Sequence, residues 1–311
     1  MKSPNLCHSL DNPFLVYYYQ AFGLTIESPL VCPELLPAEG AADVTIRYGA
    51  VPDSLESVQQ QGVWYQVNSG AFLLKIDAIA KYLMITGEQI IIERVPGAQD
   101  NEVRLFLLGS AFAALLQQRG LLPLHGCAVE VNGGAAVFVG PSGCGKSTLA
   151  GALRQRGYRV MADDVCVVSF SPAGAPLALS AYPQLKLWAD ALKILGKNPE
   201  DLPRVEAGLE KYGLPLGEGF SNNSSPLKRV YELVVSNSQD LELTTLQGMD
   251  KLAVLIRHTY RLQFLAGTLG KKRHFEQCGQ AARHCQVTRL VRPMYPFRLE
   301  DLADLVEKDW A

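Results

Sequence analysis

The chain has 311 residues, 48% of them hydrophobic and 19% charged, with 29 Lys and Arg against 31 Asp and Glu for a formal net charge of -2. That length and apolar content are enough for a sizeable core and allow about two domains, and the composition excludes a disordered, fibrous or coiled-coil chain. The near-neutral total hides an asymmetry, because residues 1–100 carry 5 basic against 11 acidic side chains and residues 251–300 carry 10 against 2.

In chain order, the opening MKSPNLCHSLDNPF lacks the apolar run of a secretory signal. Seven cysteines without a CxxC pair fit reduced thiols rather than a disulfide framework or a zinc site, so a cytoplasmic protein is expected. Segments 14–26, 43–48, 63–67, 71–76, 82–85 and 89–93 are β-branched or aromatic and are punctuated by Gly, Pro, Asn and Asp. They predict an antiparallel β-rich domain over residues 1–100. Residues 102–119 switch to helical spacing, with Leu105, Leu108, Phe112, Leu115 and Leu116 on one broad face and Gly120 as the stop. The longest apolar stretch, 103–116, is broken by Gly109 and Ser110 and falls short of the about 20 residues that span a bilayer, so no membrane role is expected.

Residues 124–139, LHGCAVEVNGGAAVFV, read as a hairpin. A turn at Asn132-Gly133 sets Val131 opposite Gly134 and His125 opposite Gly140, whereas a turn at Gly133-Gly134 brings His125 opposite Ser142. Either register delivers the imidazole to the mouth of the loop that follows. That loop, Gly140, Pro141, Ser142, Gly143, Cys144, Gly145, Lys146, Ser147, Thr148, satisfies GxxxxGK[ST] between an apolar strand and a helix ended by Gly157. Its glycines let backbone N–H groups converge on a polyphosphate, Lys146 supplies charge to the β- and γ-phosphates of ATP, and Ser147 is placed to hold Mg²⁺. Residues 158–162 then read as a buried strand ending in Asp163 and Asp164. One of these carboxylates can orient Mg²⁺ and the other can accept a proton from an attacking hydroxyl.

Farther on, residues 182–188 offer aromatic anchors and Lys186, and residues 255–261 place Arg257 and Arg261 at i and i+4 on one helical face. Both segments are candidate substrate contacts, since arginines at that spacing can clamp a phosphate or a peptide carboxylate. The stretch 214–226 reads as a long loop, and the basic C-terminal region reads as helices closing over the site. A GTPase is disfavoured by the absence of an NKxD motif, and nucleic-acid binding by a short Lys271-Lys272-Arg273 cluster in a chain of pI about 6.2.

Taken together, LHGCAVEV, GPSGCGKST and ADDVCVV resemble the catalytic domain of HPr kinase/phosphorylase, the bacterial P-loop protein-serine kinase. The resemblance covers about residues 122–169. It implies that Asp163 is the acid/base that takes the serine proton, that Asp164 and Ser147 serve Mg²⁺, and that His125 supports the Asp pair. Thr148 stands where that family commonly has Glu, and no LEIRG-like segment follows the Asp pair. The β-rich front half, with residues 20–26, together with residues 182–188 and 226–231, looks more like a divergent group of HPr-kinase-like proteins. Some of these phosphorylate a serine of a lasso-peptide precursor. The expected fold is α/β, a P-loop kinase core of HPr kinase type over residues 101–311 behind the β-rich domain. The expected activity is ATP- and Mg²⁺-dependent phosphorylation of a peptide or protein serine, with a homo-oligomer left open. A small-molecule or carboxykinase-like kinase and a non-catalytic nucleotide sensor are the alternatives.

Overall fold

Half-buried alternation in the first hundred positions produces a sheet, but a mixed one. In the computed structural model, which describes residues 15–206, 208–265 and 270–310, nine of the described strands form this sheet. They are β1 (Tyr17–Ala21), β2 (Leu24–Ser28), β3 (Leu36–Pro37), β4 (Val44–Tyr48), β5 (Gln60–Gln61), β6 (Tyr65–Val67), β7 (Ala71–Ile76), β8 (Ala80–Ile85) and β9 (Gln89–Arg94). The order is β3-β1-β2-β4-β9-β8-β7-β6-β5, and β4 runs parallel to both its neighbours. The expected all-antiparallel domain is thus corrected: the connection from Ser28 to Val44 is too long for a hairpin and returns the chain in the same direction.

The strand expected over 14–26, whose first residue lies outside the described residues, is a hairpin. Phe22 and Gly23 both take positive φ, the geometry of a tight turn whose twist matches the strands it joins. A phenylalanine is costly in that region, and its surroundings show what offsets the cost. The Phe22 ring is fully buried, 6.1 Å from Phe112 and 6.3 Å from Tyr182, and its N–H donates to the Ser180 carbonyl at 2.7 Å. The hairpin tip is plugged into the second half of the chain.

The helix expected over 102–119 forms as α1 (Asp100–Phe106) and α2 (Phe112–Gln118), joined by a π-helical turn, Leu107–Ala111, that contains Gly109 and Ser110. Helix α2 is buried along almost its whole length and contacts β8 of the first sheet and the opening strand of the second.

The described strands of that second sheet number eight: β10 (Leu122–Val131), β11 (Gly134–Val139), β12 (Arg159–Ala162), β13 (Val165–Phe170), β14 (Pro176–Leu179), and, after a separate hairpin of β15 (Gln184–Trp188) with β16 (Lys211–Pro215), β17 (Ser225–Ser236), β18 (Glu242–Thr245) and β19 (Gln286–Pro293). Asn132 and Gly133 form the turn of the β10–β11 hairpin, so Val131 opposes Gly134 and the register is the first of the two counted from the sequence. The start of β10 pairs with β13 while its second half pairs with β11 and β12. Strand β17 pairs first with β14 and then runs parallel to both β11 and β19, which closes the path on itself. The stretch 214–226 is less loop-like than expected, holding the end of β16, a 3₁₀ turn at Gly217–Gly219 and the start of β17.

The described helices of this half are α3 (Lys146–Gln155), α4 (Ala189–Ile194), α5 (Gly248–Arg257), α6 (Gly270–His284) and α7 (Leu299–Trp310). The expectation of basic C-terminal helices over the site is overturned. Helix α6 packs on α5, β10, β14 and β17, while α7 is acidic and packs on α3, where Arg156 pairs with Glu300, Asp304 and Glu307. Of the basic residues in this region, Arg292 of β19 and Arg257 at the very end of α5 reach the cleft.

Because the Phe22 ring fills space between the two halves, Phe22→Ala should lower the unfolding free energy by about 3–5 kcal/mol in urea titrations. Wild-type stability in that variant would mean the hairpin tip does not join them.

Candidate active site

Strand β11 is buried throughout, and the chain leaves it through the glycine-rich loop into α3. Gly140 opens the loop at φ +155°, where a Cβ would lie 2.6 Å from the Leu233 carbonyl oxygen, so no larger residue fits. Gly145 closes it at φ +101° as the N-cap of α3. Arg292 of β19 braces the loop from outside: its Nε donates to the Cys144 carbonyl at 2.9 Å while its guanidinium lies 4.2 Å from the centre of the Phe297 ring. Cys144 is buried and its thiol is pushed up by that burial, which suits a filler of the loop rather than a redox-active cysteine.

Strand β12 brings the two aspartates to the foot of the loop. Asp163 stays on the buried side, 4% exposed, where its Oδ1 accepts from the Ser147 hydroxyl and its Oδ2 from the Lys186 N–H, both at 2.6 Å. Asp164 turns at φ +69°, a conformation Asp tolerates, and its side chain faces the opposite way into the cleft. Its Oδ2 accepts from the Lys186 ammonium at 3.2 Å, and its Oδ1 lies 3.6 Å from His125 Nδ1. These contacts redistribute the pair relative to the expectation from the resemblance. Ser147 is joined to Asp163 rather than to Asp164, and the carboxylate that lines the cleft is Asp164.

The environments separate the two groups electrostatically. Burial raises the Asp163 carboxyl above its ordinary value. Burial also opposes ionisation of Asp164, but Lys186, Lys211 and His125 more than compensate and hold it down to about 2. His125 is set by the same turn. Its ring Nδ1 is 3.1 Å from the Asp164 carbonyl and its Nε2 3.3 Å from the Lys146 ammonium, partners that call for a proton on Nδ1 and a lone pair on Nε2. Burial and the nearby Lys146 lower its pKa, so the imidazole is neutral near pH 7. The Lys146 ammonium also donates to the carbonyls of Gly140 and Pro141, at 2.8 and 2.9 Å.

A cleft of about 680 Å³ lies over these groups. Its lining includes His125, Asp164 and every loop residue from Pro141 to Thr148. Gly140 lines the adjoining groove instead. Lys186, expected as a substrate contact, is 8% exposed and acts as the counter-ion of Asp164. Arg257 and Arg261 do not share a helical face, because α5 ends at Arg257 and the chain has turned to φ +54° by Arg261. Arg257 nevertheless lines the cleft, with Arg261 beside it in the adjoining groove.

Sequence reading missed Glu232, Lys211, His258 and Arg292, which also line the cleft. Glu232 is 2% exposed on β17, beside Val139 in the parallel register, and accepts from Arg257, His258 and Arg289. Burial works against its charge, yet Arg289 and the other partners hold its carboxyl below the usual range. The signal was present as a lone Glu inside the apolar run VYELVV.

The donor set can be tested against Mg²⁺. Ser147 Oγ and Asp163 Oδ1 are hard oxygens side by side, and the described residues contain no cluster of three or more His, Cys, Asp or Glu suited to a metal. That arrangement fits an ion held by one or two protein oxygens, with nucleotide phosphates and water completing its shell, the usual habit of Mg²⁺.

A raised native pKa means that the folded chain holds the Asp163 proton more tightly than the unfolded chain does. Its contribution to stability therefore declines as pH rises from the ordinary aspartate range through the raised value. Asp163→Asn removes this ionisation and can keep both contacts, its carbonyl accepting from Lys186 N–H and its amide donating to Ser147. The variant should melt at or above the wild-type temperature near neutral pH, with a flatter pH dependence in scanning calorimetry. A loss of several degrees would show that the ionised carboxylate is net stabilising.

No protein-family model matches the chain, and no curated protein matches it. Among solved structures it is similar to the HPr(Ser) kinase/phosphatase from Coxiella burnetii, at 12% identity and a TM-score of 0.33, over 60% of this chain and 89% of that one.

Proposed function

We propose that the protein transfers the terminal phosphoryl group of ATP to a serine hydroxyl of a peptide or protein, a lasso-peptide precursor being the acceptor suggested by the sequence resemblance. The observation that carries this reading is the convergence, in one cleft, of a glycine-rich loop with its Lys146 and a cleft-lining carboxylate, Asp164, flanked by a neutral His125.

The loop amides and the α3 N-terminus receive the β- and γ-phosphates, and Lys146 exchanges the Gly140 and Pro141 carbonyls for phosphate oxygens. Ser147 and Asp163 would hold Mg²⁺, which when bound neutralises charge spreading over the β,γ-bridge. Asp164 orients the serine hydroxyl for in-line attack. As the new O–P bond forms and the bond to the β-phosphate oxygen breaks, the hydroxyl proton passes to its carboxylate and ADP leaves. A carboxyl held to about 2 is a weak base, but the transition state of phosphoryl transfer is loose and asks for positioning more than for basicity. Lys186, buried against Asp164 Oδ2, fixes the rotamer that does the positioning. His125 keeps Lys146 and Asp164 in register through its two ring nitrogens.

With Mg²⁺, ATP and serine peptides, mass spectrometry should find phosphoserine. Asp164→Asn should cut kcat by about 10²–10⁴ while leaving the dissociation constant of ATP within about threefold. Undiminished turnover in that variant would remove Asp164 from the reaction. Tight ATP binding with no phosphorylated serine peptide would remove the kinase reading itself.

A further inference from the structure

A second concavity of about 560 Å³ opens beside the nucleotide cleft. His125, Pro141, Asp164, Arg257 and His258 line both, so the two spaces meet at the Asp164 carboxylate. Beyond that junction the groove follows Thr259, Tyr260, Arg261 and Gln263. This segment is pinned from two sides. His125 N–H donates to the His258 carbonyl at 2.7 Å and Tyr260 N–H to the Pro123 carbonyl at 2.8 Å, both from the strand that carries the imidazole. On the other side, the Gln263 carbonyl accepts from the Tyr65 hydroxyl at 2.9 Å and the Gln60 amide at 2.7 Å, both in the N-terminal sheet.

The charge of the groove is unbalanced. Arg257, whose side chain is 58% exposed, shares the single Glu232 carboxylate with Arg289 and His258. Arg261 has no ion pair among the described residues, and its Nε is buried without a hydrogen-bond partner. Its guanidinium is held 5.4 Å from the Tyr260 ring centre and 6.0 Å from that of Phe264, an aromatic seat that fixes direction but satisfies no N–H. A buried donor left in this way favours whatever acceptor can reach it. The nucleotide phosphates belong to the glycine loop on the far side of the junction, and Arg261 lines only the second groove.

The geometry points to an acceptor groove in which Arg261, with Arg257, recognises a carboxylate close to the reacting serine. This rests on the phosphoryl-transfer reading for the identity of the acceptor, while the anion preference itself comes from the groove. The carboxylate can belong to an acidic side chain or to a chain terminus, since planar two-oxygen recognition by guanidinium is the same for both.

The test is a degenerate peptide library with one fixed serine, made in sets that carry an internal aspartate, an internal asparagine, a free C-terminal acid or a C-terminal amide. Each set is offered with ATP and Mg²⁺ to the wild type, Arg261→Gln and Arg261→Lys, and phosphopeptides are counted by mass spectrometry. Carboxylate-bearing sets should be used about tenfold better than their amide counterparts, mainly through KM, with the preference lost in Arg261→Gln and only partly regained in Arg261→Lys, which restores the charge but not the planar fork. The arm that gains distinguishes side chain from terminus. Equal use of acid and amide sets, or an unchanged preference in Arg261→Gln, overturns the assignment. Arg257→Gln provides the same comparison should Arg261→Gln fail to fold. Retention of the library on immobilised protein with a non-hydrolysable ATP analogue repeats the comparison without chemistry. Carboxylate-selective retention with no phosphopeptide keeps the groove and sinks the kinase reading, whereas retention blind to carboxylates sinks the groove.

Discussion

One buried carboxylate holds the site together. Asp163 accepts from the Ser147 hydroxyl at the start of α3 and from the Lys186 N–H in β15, while its own backbone continues β12. Three segments remote in sequence are therefore joined at a single group. Burying a carboxylate costs several kcal/mol unless its lone pairs are met, and here each oxygen has a donor at 2.6 Å. The arrangement is self-enforcing: displacing the glycine loop, the aspartate strand or the β15–β16 hairpin would strand part of that carboxylate. Lys186 extends the tie, since its N–H serves Asp163 and its ammonium serves Asp164. The cleft-facing carboxylate thus inherits its position from the one beneath it.

Adjacent aspartates with opposite pKa shifts show how a fold separates two roles without changing residue type. Asp163, enclosed and met by neutral donors, is pushed up; Asp164, one residue later, is surrounded by Lys186, Lys211 and His125 and pulled down to about 2. The two side chains leave opposite faces of the chain where it turns out of β12, Asp163 into the interior and Asp164, at positive φ, into the cleft. Around them the cleft gathers Lys146, Lys186, Lys211, Arg257 and Arg292, with Glu232 shared among several cations. That excess of positive charge suits a polyphosphate guest.

Features governed by neighbouring residues were legible in the sequence. The β10–β11 hairpin is signalled by its Asn-Gly-Gly turn, which leaves two registers, and the structure takes the Asn132-Gly133 one, where both residues have positive φ. The strand, glycine loop and helix around Lys146 followed from the same local logic. Features governed by distant pairing were not. The parallel joins of β4 and of β17, the latter placing Glu232 beside the glycine loop, have no local signature. Arg257 and Arg261 looked helical together because no Gly or Pro marks the end of α5 at His258. The basic surplus of residues 251–300 was real, but it does not act as a helical face: Arg289 and Arg292 sit on a strand and bond to Glu232 and the Cys144 carbonyl, while Arg257 and Arg261 stand at and beyond the end of α5.

The strands of the N-terminal sheet supply none of the described residues that line the cleft, yet they touch both segments that shape the approach to it. At one place the Phe22 tip packs on Tyr182 and bonds to Ser180, just before the strand that carries Lys186. At the other, Gln60 and Tyr65 hold the Gln263 carbonyl while Tyr65 and Phe72 pack on Phe264, beneath the seat of Arg261. One contact steadies the lysine that aligns Asp164, and the other steadies the arginine of the adjoining groove. Interior packing is stiff enough to transmit displacements of a fraction of an ångström. A shift of this sheet would therefore reach Asp164 and the groove beside it together, which ties the β layer mechanically to the half that carries the glycine loop.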